Sequence, residues 1–306
     1  MPKYSRKPHC QGHAFTLIEL LIVIAIIPLL VSLVMPTLGS ARALARSVLC
    51  ASRQRNLALG WNYYHMDNND VILPGRFGKS PLGADHDQYW VGNGWKYRPR
   101  WVAMMGSLTG MHPFAAPSPV KADGGDRQDY DSDMVYVCPD AAERLDERNY
   151  AYGYNYQFLG NARNHPSGVG YRNFPVIFTG LVIPASTVMA ADSLGTAAAY
   201  ATGQRNPYDN NGKDTQSLSN HGWSLDPPRL TAVSDRGPGD GPGDPRTAVD
   251  PRHLGKATVS FCDMHVETIS PEELGYQVNG DGSFGENGHN RLFSGTGRDD
   301  DPPAVW

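Results

Sequence analysis

The sequence predicts an α+β protein: one long N-terminal helix packed on a small antiparallel sheet with long loop insertions. Three observations lead there. An apolar run near the start passes into a helix-spaced pattern, and the strand-like segments beyond it are short and scattered. Gly and Pro number 33 and 24 in 306 residues, well above a usual combined share of roughly 12%, which marks a loop-rich head. The formal charge of −4 lacks the basic excess of a nucleic-acid binder, so no nucleic-acid partner is expected. No P-loop, G-x-S-x-G elbow or C-x-x-C zinc site is present.

The first element is the helix. From Phe15 to Met35 there are 21 residues, and Glu19 is the only charged one. As a helix this run rises about 32 Å, enough for a hydrocarbon core of about 30 Å. Lys3, Arg6 and Lys7 precede it with no acid, which favours a cytoplasmic N-terminus. A secretory signal peptide also has a basic start and an apolar middle, but no A-x-A-like site ends this run. Beyond Pro36, apolar or small residues recur at Leu38, Ala41, Ala45, Val48, Ser52, Leu59 and Tyr63, the spacing of one buried helical face. The pattern stops at "HMDNNDVILPG", where Asp, Asn and Pro-Gly mark a helix end. Pro28 and Pro36 are potential breaks, since proline lacks the donor that a helix interior uses.

The sheet follows from five segments rich in Val, Ile, Phe or Tyr and bounded by turn residues: "DVIL" at 70–73, "DMVYVC" at 133–138, "FPVIFTGLVI" at 174–183, "STVMAAD" at 186–192 and "ATVSFCDMHVETI" at 257–269. Between them, residues 202–220 and 234–252 read as surface loops. The four cysteines, Cys10, Cys50, Cys138 and Cys262, are too few and too widely spaced for a disulfide scaffold or a metal knuckle. If the head lies outside the cytoplasm, the bridge expected is Cys50 with Cys138.

Glu19 makes the span unusual, because an acid at the centre of a membrane helix costs roughly 2.5–3.5 kcal/mol, less near its end, and usually marks a partner. The segment "AFTLIELL" resembles the cleavage signal of type IV prepilins and type II secretion pseudopilins. The resemblance implies cutting between Ala14 and Phe15 by a prepilin peptidase and N-methylation of Phe15. It also implies pairing of Glu19 with a neighbouring subunit's N-terminal amine, and places Pro36 where pilins often carry a kinking proline. The family usually has Gly before the cut; here Ala14 stands there and Gly12 lies two residues upstream.

A second resemblance lies in "RHLGKATVSFCDMHVETISPEELG", which is similar to the H-X9-DG region of a large pseudopilin-like family. His253 and Asp263 keep the spacing, but Met264 replaces the Gly. Echoes of that family occur at "VCPD" (137–140), "YAYGYN" (150–155) and "MAADS" (189–193). His253, Asp263 and His265, joined by Asp192, could ligate zinc or iron. The alternative left open is a hydrogen-bonded structural pair at a strand end. The tail from Asn279 onward is similar in composition and placement to the calcium loop of major pseudopilins. Asn279, Asp281, Ser283 and Glu286 would supply oxygens to calcium, or else form a solvated Gly/Asp loop.

The organisation expected is therefore a leader over residues 1–14, a transmembrane helix over 15–36, its amphipathic continuation over 37–66, and a head over 67–306 with the H-X9-D region at 253–263. The resemblance implies a non-enzymatic, pilin-like subunit of a type II secretion pseudopilus or type IV pilus-like filament. It would sit in the inner membrane with its head in the periplasm. Its partners would be the prepilin peptidase, other pilin-like subunits, the inner-membrane assembly platform and, before assembly, membrane lipid. The competing expectation is a membrane-anchored metal- or glycan-binding protein or hydrolase, with Trp90, Trp95, Tyr97 and Trp101 as sugar-stacking aromatics.

Overall fold

A computed structural model describes residues 16–78, 87–120, 127–131, 134–162, 173–236 and 244–304. The expected leader and the Ala14–Phe15 bond lie outside these residues. The chain divides into two units, residues 1–45 and 46–306. Helix α1, Leu17–Asp67, begins in the first and ends in the second. Its end after Asp67 falls where the Asp/Asn cluster places it.

In the first unit the helix is long and apolar enough to cross a membrane, and its large apolar side chains, from Leu17 through Leu44, are exposed. It starts with a reciprocal cap. The Thr16 amide and hydroxyl both donate to Glu19 Oε2, at 2.8 and 2.7 Å, while the Glu19 amide donates to Thr16 Oγ1 at 3.3 Å. This is a Thr-x-x-Glu capping box, which satisfies donors that a helix start leaves open. Neither Pro28 nor Pro36 interrupts the helix. Each removes one donor, and its fixed φ is compatible with helical backbone.

The second unit is built on a five-stranded antiparallel sheet. The order is β3 (Tyr152–Tyr154), β4 (Val188–Gly195), β6 (Ala257–Phe261) and β7 (Val266–Ile269), with β5 (Ala248–Val249) paired to the end of β4. A separate hairpin joins β1 (Gln88–Trp90) to β2 (Trp95–Tyr97) and precedes helix α2 (Trp101–Thr109). All residues of β4 and β6 are buried, so both strands are covered on both faces. One apolar cluster joins Cys50, Leu57, Ala58, Trp61 and Tyr64 of α1 to Tyr152, Tyr154, Met189 and Trp101. The other sets Val188, Ala191, Val259 and Phe261 against Leu274, Tyr276 and Phe293 of the tail. The C-terminal segment is thus a layer of the core as well as a loop.

The helical periodicity exists, but its expected side is reversed. The stripe buried in the head is Ser47, Cys50, Gln54, Leu57, Ala58, Trp61, Tyr64 and His65. Val48, Leu59 and Tyr63, expected to be inside, are exposed at 62%, 38% and 54%. At about 100° per residue these two sets lie on opposite sides of one helix. Apolar residues populate both sides, and polar groups with interior partners occupy the inner one. Gln54 Nε2, for example, donates to the Thr258 carbonyl at 3.0 Å.

The sheet expectation holds for β4 and for the β6–β7 hairpin. Elsewhere it is corrected. "DVIL" contributes a single bridge from Val71 to Ile177. Met134–Tyr136 is a 3-10 turn, and Phe178–Gly180 is another. These apolar runs pack their side chains without joining a ladder.

Candidate functional site

Four distant segments of the second unit converge beneath α1. Cys50 projects from the buried stripe of the helix. Cys138 follows the 3-10 turn Met134–Tyr136, in a loop fixed to α1 by Arg53, whose Nη1 donates to the Val137 carbonyl at 2.6 Å. Asp192 lies on β4, paired in register with Tyr152 of β3. His253 opens a tight turn in which its amide donates to the Lys256 carbonyl at 2.9 Å and the Lys256 amide donates back at 3.1 Å. Leu254 and Gly255 take φ of 56° and 82°, as the two central residues of a type I′ hairpin turn require. That turn feeds directly into β6.

One ligand-type atom from each of Cys50, Cys138, Asp192 and His253 lies within 4.8 Å of the others, and all four residues are buried. The Cys138 sulfur is 3.7 Å from His253 Nε2. The Cys50 sulfur is 3.6 Å from Asp192 Oδ1 and 3.4 Å from the Tyr152 hydroxyl. His253 Nε2 is 3.3 Å from Asp192 Oδ2, which also accepts the Thr258 amide at 2.7 Å. On the far side of the imidazole, Asp140 Oδ2 is 3.0 Å from Nδ1. That carboxylate also pairs with Arg46 of α1. Arg252 Nη1 stands 3.8 Å from Asp192 Oδ1, and its Nη2 is 2.9 Å from Asp250.

These neighbours polarise one another. Burial alone would raise the Asp192 pKa, but Arg252, His253 and the Thr258 amide outweigh it and hold the group below the usual carboxylate range. Burial would likewise depress His253, yet hydrogen bonds to Asp192 and Cys138 hold it above the usual imidazole value. The two thiols split. A hydrogen bond from Cys50 draws Cys138 down, whereas burial and that same bond push Cys50 up. Cys138, His253 and Asp140 have the order of a nucleophile–base–orienting-acid set. Cys138 is nevertheless at 0% exposure, so a substrate has no access to its sulfur in this arrangement. The groups could instead hold an ion that enters as the site forms.

The expected grouping of His253 with Asp263 and His265 is corrected. The nine intervening residues include strand β6, which separates its two ends by roughly 17 Å at strand rise. Asp263 and His265 pair with each other at the half-exposed β6–β7 turn, where His265 stacks on Phe261 at 4.3 Å. Met264 has φ of 75°, in the left-handed region that favours glycine. Asp192 does join His253, as the sequence allowed. Cys50 and Cys138 are also brought together, as free thiols rather than the expected bridge.

In the expected calcium loop, Asp281 Oδ1 accepts the amide and hydroxyl of Ser283, and Asn279 bonds to Ser283. Glu286 grips Arg236 at 2.5 and 3.0 Å, so it is committed to a protein cation. Of the aromatic set, Trp90 and Trp95 are exposed and meet edge to face at 5.9 Å, while Tyr97 and Trp101 are buried.

Thr16, Asp140 and Arg252 escaped the sequence reading. The first was legible in "TLIE" as a capping box; the others stand inside the motifs, Asp140 ending "VCPD" and Arg252 opening "RHLG". Comparisons with family models, with curated proteins and with solved structures give no match to the chain.

Proposed function

We propose that the chain is a pilin-like structural subunit, cut between Ala14 and Phe15 by a prepilin peptidase and assembled through its long helix. The filament is a type II secretion pseudopilus or type IV pilus-like fibre rising from the inner membrane, with the head on its periplasmic side. The observation that carries this reading is the outward stripe of α1. A span of apolar residues explains anchoring in lipid. It does not explain Val48, Leu59, Tyr63 and Met66, exposed at 62%, 38%, 54% and 68%, on the stretch of helix whose other side is already packed in the head. A helix apolar on two opposite sides fits a subunit that buries one side in its own head and the other against neighbouring copies.

Glu19 fits the same account. Its exposed carboxylate is unfavourable in hydrocarbon and becomes tolerable when a neighbour's N-terminal amine supplies the counter-charge. Mass spectrometry of protein from its native membrane is expected to find a chain starting at methylated Phe15. Glu19→Leu is expected to leave the protein in the membrane and out of filaments. An intact leader, with Glu19→Leu entering filaments at the wild-type level, would sink the reading.

A further inference from the structure

We propose that Cys50, Cys138, Asp192 and His253 bind one zinc ion, which fastens the C-terminal half of α1 to the sheet and to the 137–140 loop. The spacing of the donors carries the argument. Zinc takes thiolate at about 2.3 Å, imidazole at about 2.0–2.1 Å and carboxylate at about 2.0–2.2 Å, in a tetrahedron. Around such an ion, sulfur and nitrogen or oxygen stand about 3.6 Å apart, and nitrogen and oxygen about 3.3 Å apart. The distances here are 3.7 Å from Cys138 sulfur to His253 Nε2, 3.6 Å from Cys50 sulfur to Asp192 Oδ1, and 3.3 Å from His253 Nε2 to Asp192 Oδ2. These three donor pairs stand near the edge lengths of that tetrahedron, the two involving Asp192 through its two carboxylate oxygens, and one donor atom from each residue lies within 4.8 Å of the others.

The donor chemistry narrows the ion. Two thiolates and an imidazole favour zinc over calcium or magnesium, which take oxygen ligands. Asp140 lies behind the imidazole, in the position of the carboxylate that commonly backs a metal-bound His. The Thr258 amide and the Tyr152 hydroxyl hold the Asp192 and Cys50 donors in place. Two thiolates and one carboxylate carry three negative charges, zinc offsets two, and the buried Arg252 guanidinium stands against the third. Loading releases to solvent the protons that the thiols and His253 Nε2 carry, and changes no oxidation state. Four protein ligands at 0–3% exposure leave no position for water, which makes this a closed, structural site.

The placement explains why so many of the quoted motifs meet here. Cys138 and Asp140 come from "VCPD", Tyr152 from "YAYGYN", Asp192 from "MAADS" and His253 from "RHLG". The rival occupant of the same space is a Cys50–Cys138 disulfide, which would leave His253 and Asp192 with no shared ligand. Because the zinc content is read on the purified chain, its outcome is independent of filament assembly.

The full chain, purified in detergent without metal-affinity resin and dialysed against metal-free buffer, is expected to retain stoichiometric zinc by elemental mass spectrometry. Cobalt exchanged for zinc is expected to show thiolate-to-metal charge transfer and the intense visible bands of tetrahedral cobalt. Cys138→Ser and His253→Asn are expected to lose the ion. His265→Ala and Cys262→Ala, outside the cluster, are expected to keep it. Asp140→Asn, a positioning change, should still bind zinc but with affinity lowered about 10–100-fold, measured by competition with a chelating dye. If a substituted chain fails to fold, the wild-type metal content and cobalt spectrum decide alone. A folded wild-type chain without zinc overturns the proposal. So does peptide mapping that finds Cys50 joined to Cys138, or zinc retained by a Cys138→Ser/His253→Asn double variant.

Discussion

The two sides of α1 between Arg46 and Asp67 contrast in a way that hydrophobicity alone would not suggest. The inner side buries Ser47, Gln54 and His65 beside Leu57 and Trp61, while the outer side leaves Val48, Leu59, Tyr63 and Met66 in the open. Both sides carry helical spacing. The head supplies partners for polar donors on the inner side. Gln54 reaches the Thr258 carbonyl, and Trp61 Nε1 donates to the Tyr154 hydroxyl at 2.8 Å. Burial is therefore decided by what lies opposite a side chain, and apolar character is only one of the ways to qualify.

That contrast can be broken or sharpened by substitution. The largest effect is expected at Trp61, which is fully buried. Trp61→Ala should destabilise the head by about 3–5 kcal/mol, the usual cost of emptying a large aromatic site, read as a lower midpoint in denaturant-induced unfolding of the detergent-solubilised chain. A loss below about 1 kcal/mol would mean that the inner side does not anchor the helix.

His65 tests the same side through pH. It stacks on Phe178 at 4.0 Å and faces Trp61, Asn62 and Asp70. Burial lowers its pKa, and the nearby Asp70 only partly opposes this. Below the ordinary imidazole value the unfolded chain then takes up the proton more readily than the folded one. Its contribution to stability is complete above about pH 6.5 and is lost as the pH falls from there through the lower folded value. His65→Phe, which keeps an aromatic ring against Phe178, should flatten this part of the stability profile. An unchanged acid limb would place the titration elsewhere.

The smallest effect is expected on the outer side. Tyr63→Ser should change head stability by no more than about 0.5 kcal/mol, by the same unfolding measurement, while reducing incorporation into filaments. A large loss of stability would make Tyr63 a core residue, and unimpaired assembly would remove the outer stripe from the proposed contact surface.

Sequence legibility followed local signal. The length of α1, its end at Asp67, β4 and the β6–β7 hairpin were readable because each has a run long enough to show its period or a clear turn. The hairpin of β1 and β2 was not, since strands of three residues are too short to display alternation. The helix period gave the spacing of the stripes but could not say which faced the head. In the cluster, Cys50 was readable with Cys138, and Asp192 with His253 inside a wider grouping that also held Asp263 and His265. That the two pairs share one centre depends on the register of β4 with β3 and β6, which no local window contains.

The wide separation of the cluster's members along the chain also orders events in time. Cys50 lies in the helix, and His253 follows it by more than half the length of the chain. Bringing such distant segments together is slow compared with local helix formation, because each closure gives up chain entropy before its contacts form. The pocket of sulfur, nitrogen and oxygen donors therefore cannot exist on a nascent chain that stops short of Lys256. Its completion is a late event in folding, and a side chain of the cluster that reacts with a thiol reagent marks a head that has not finished.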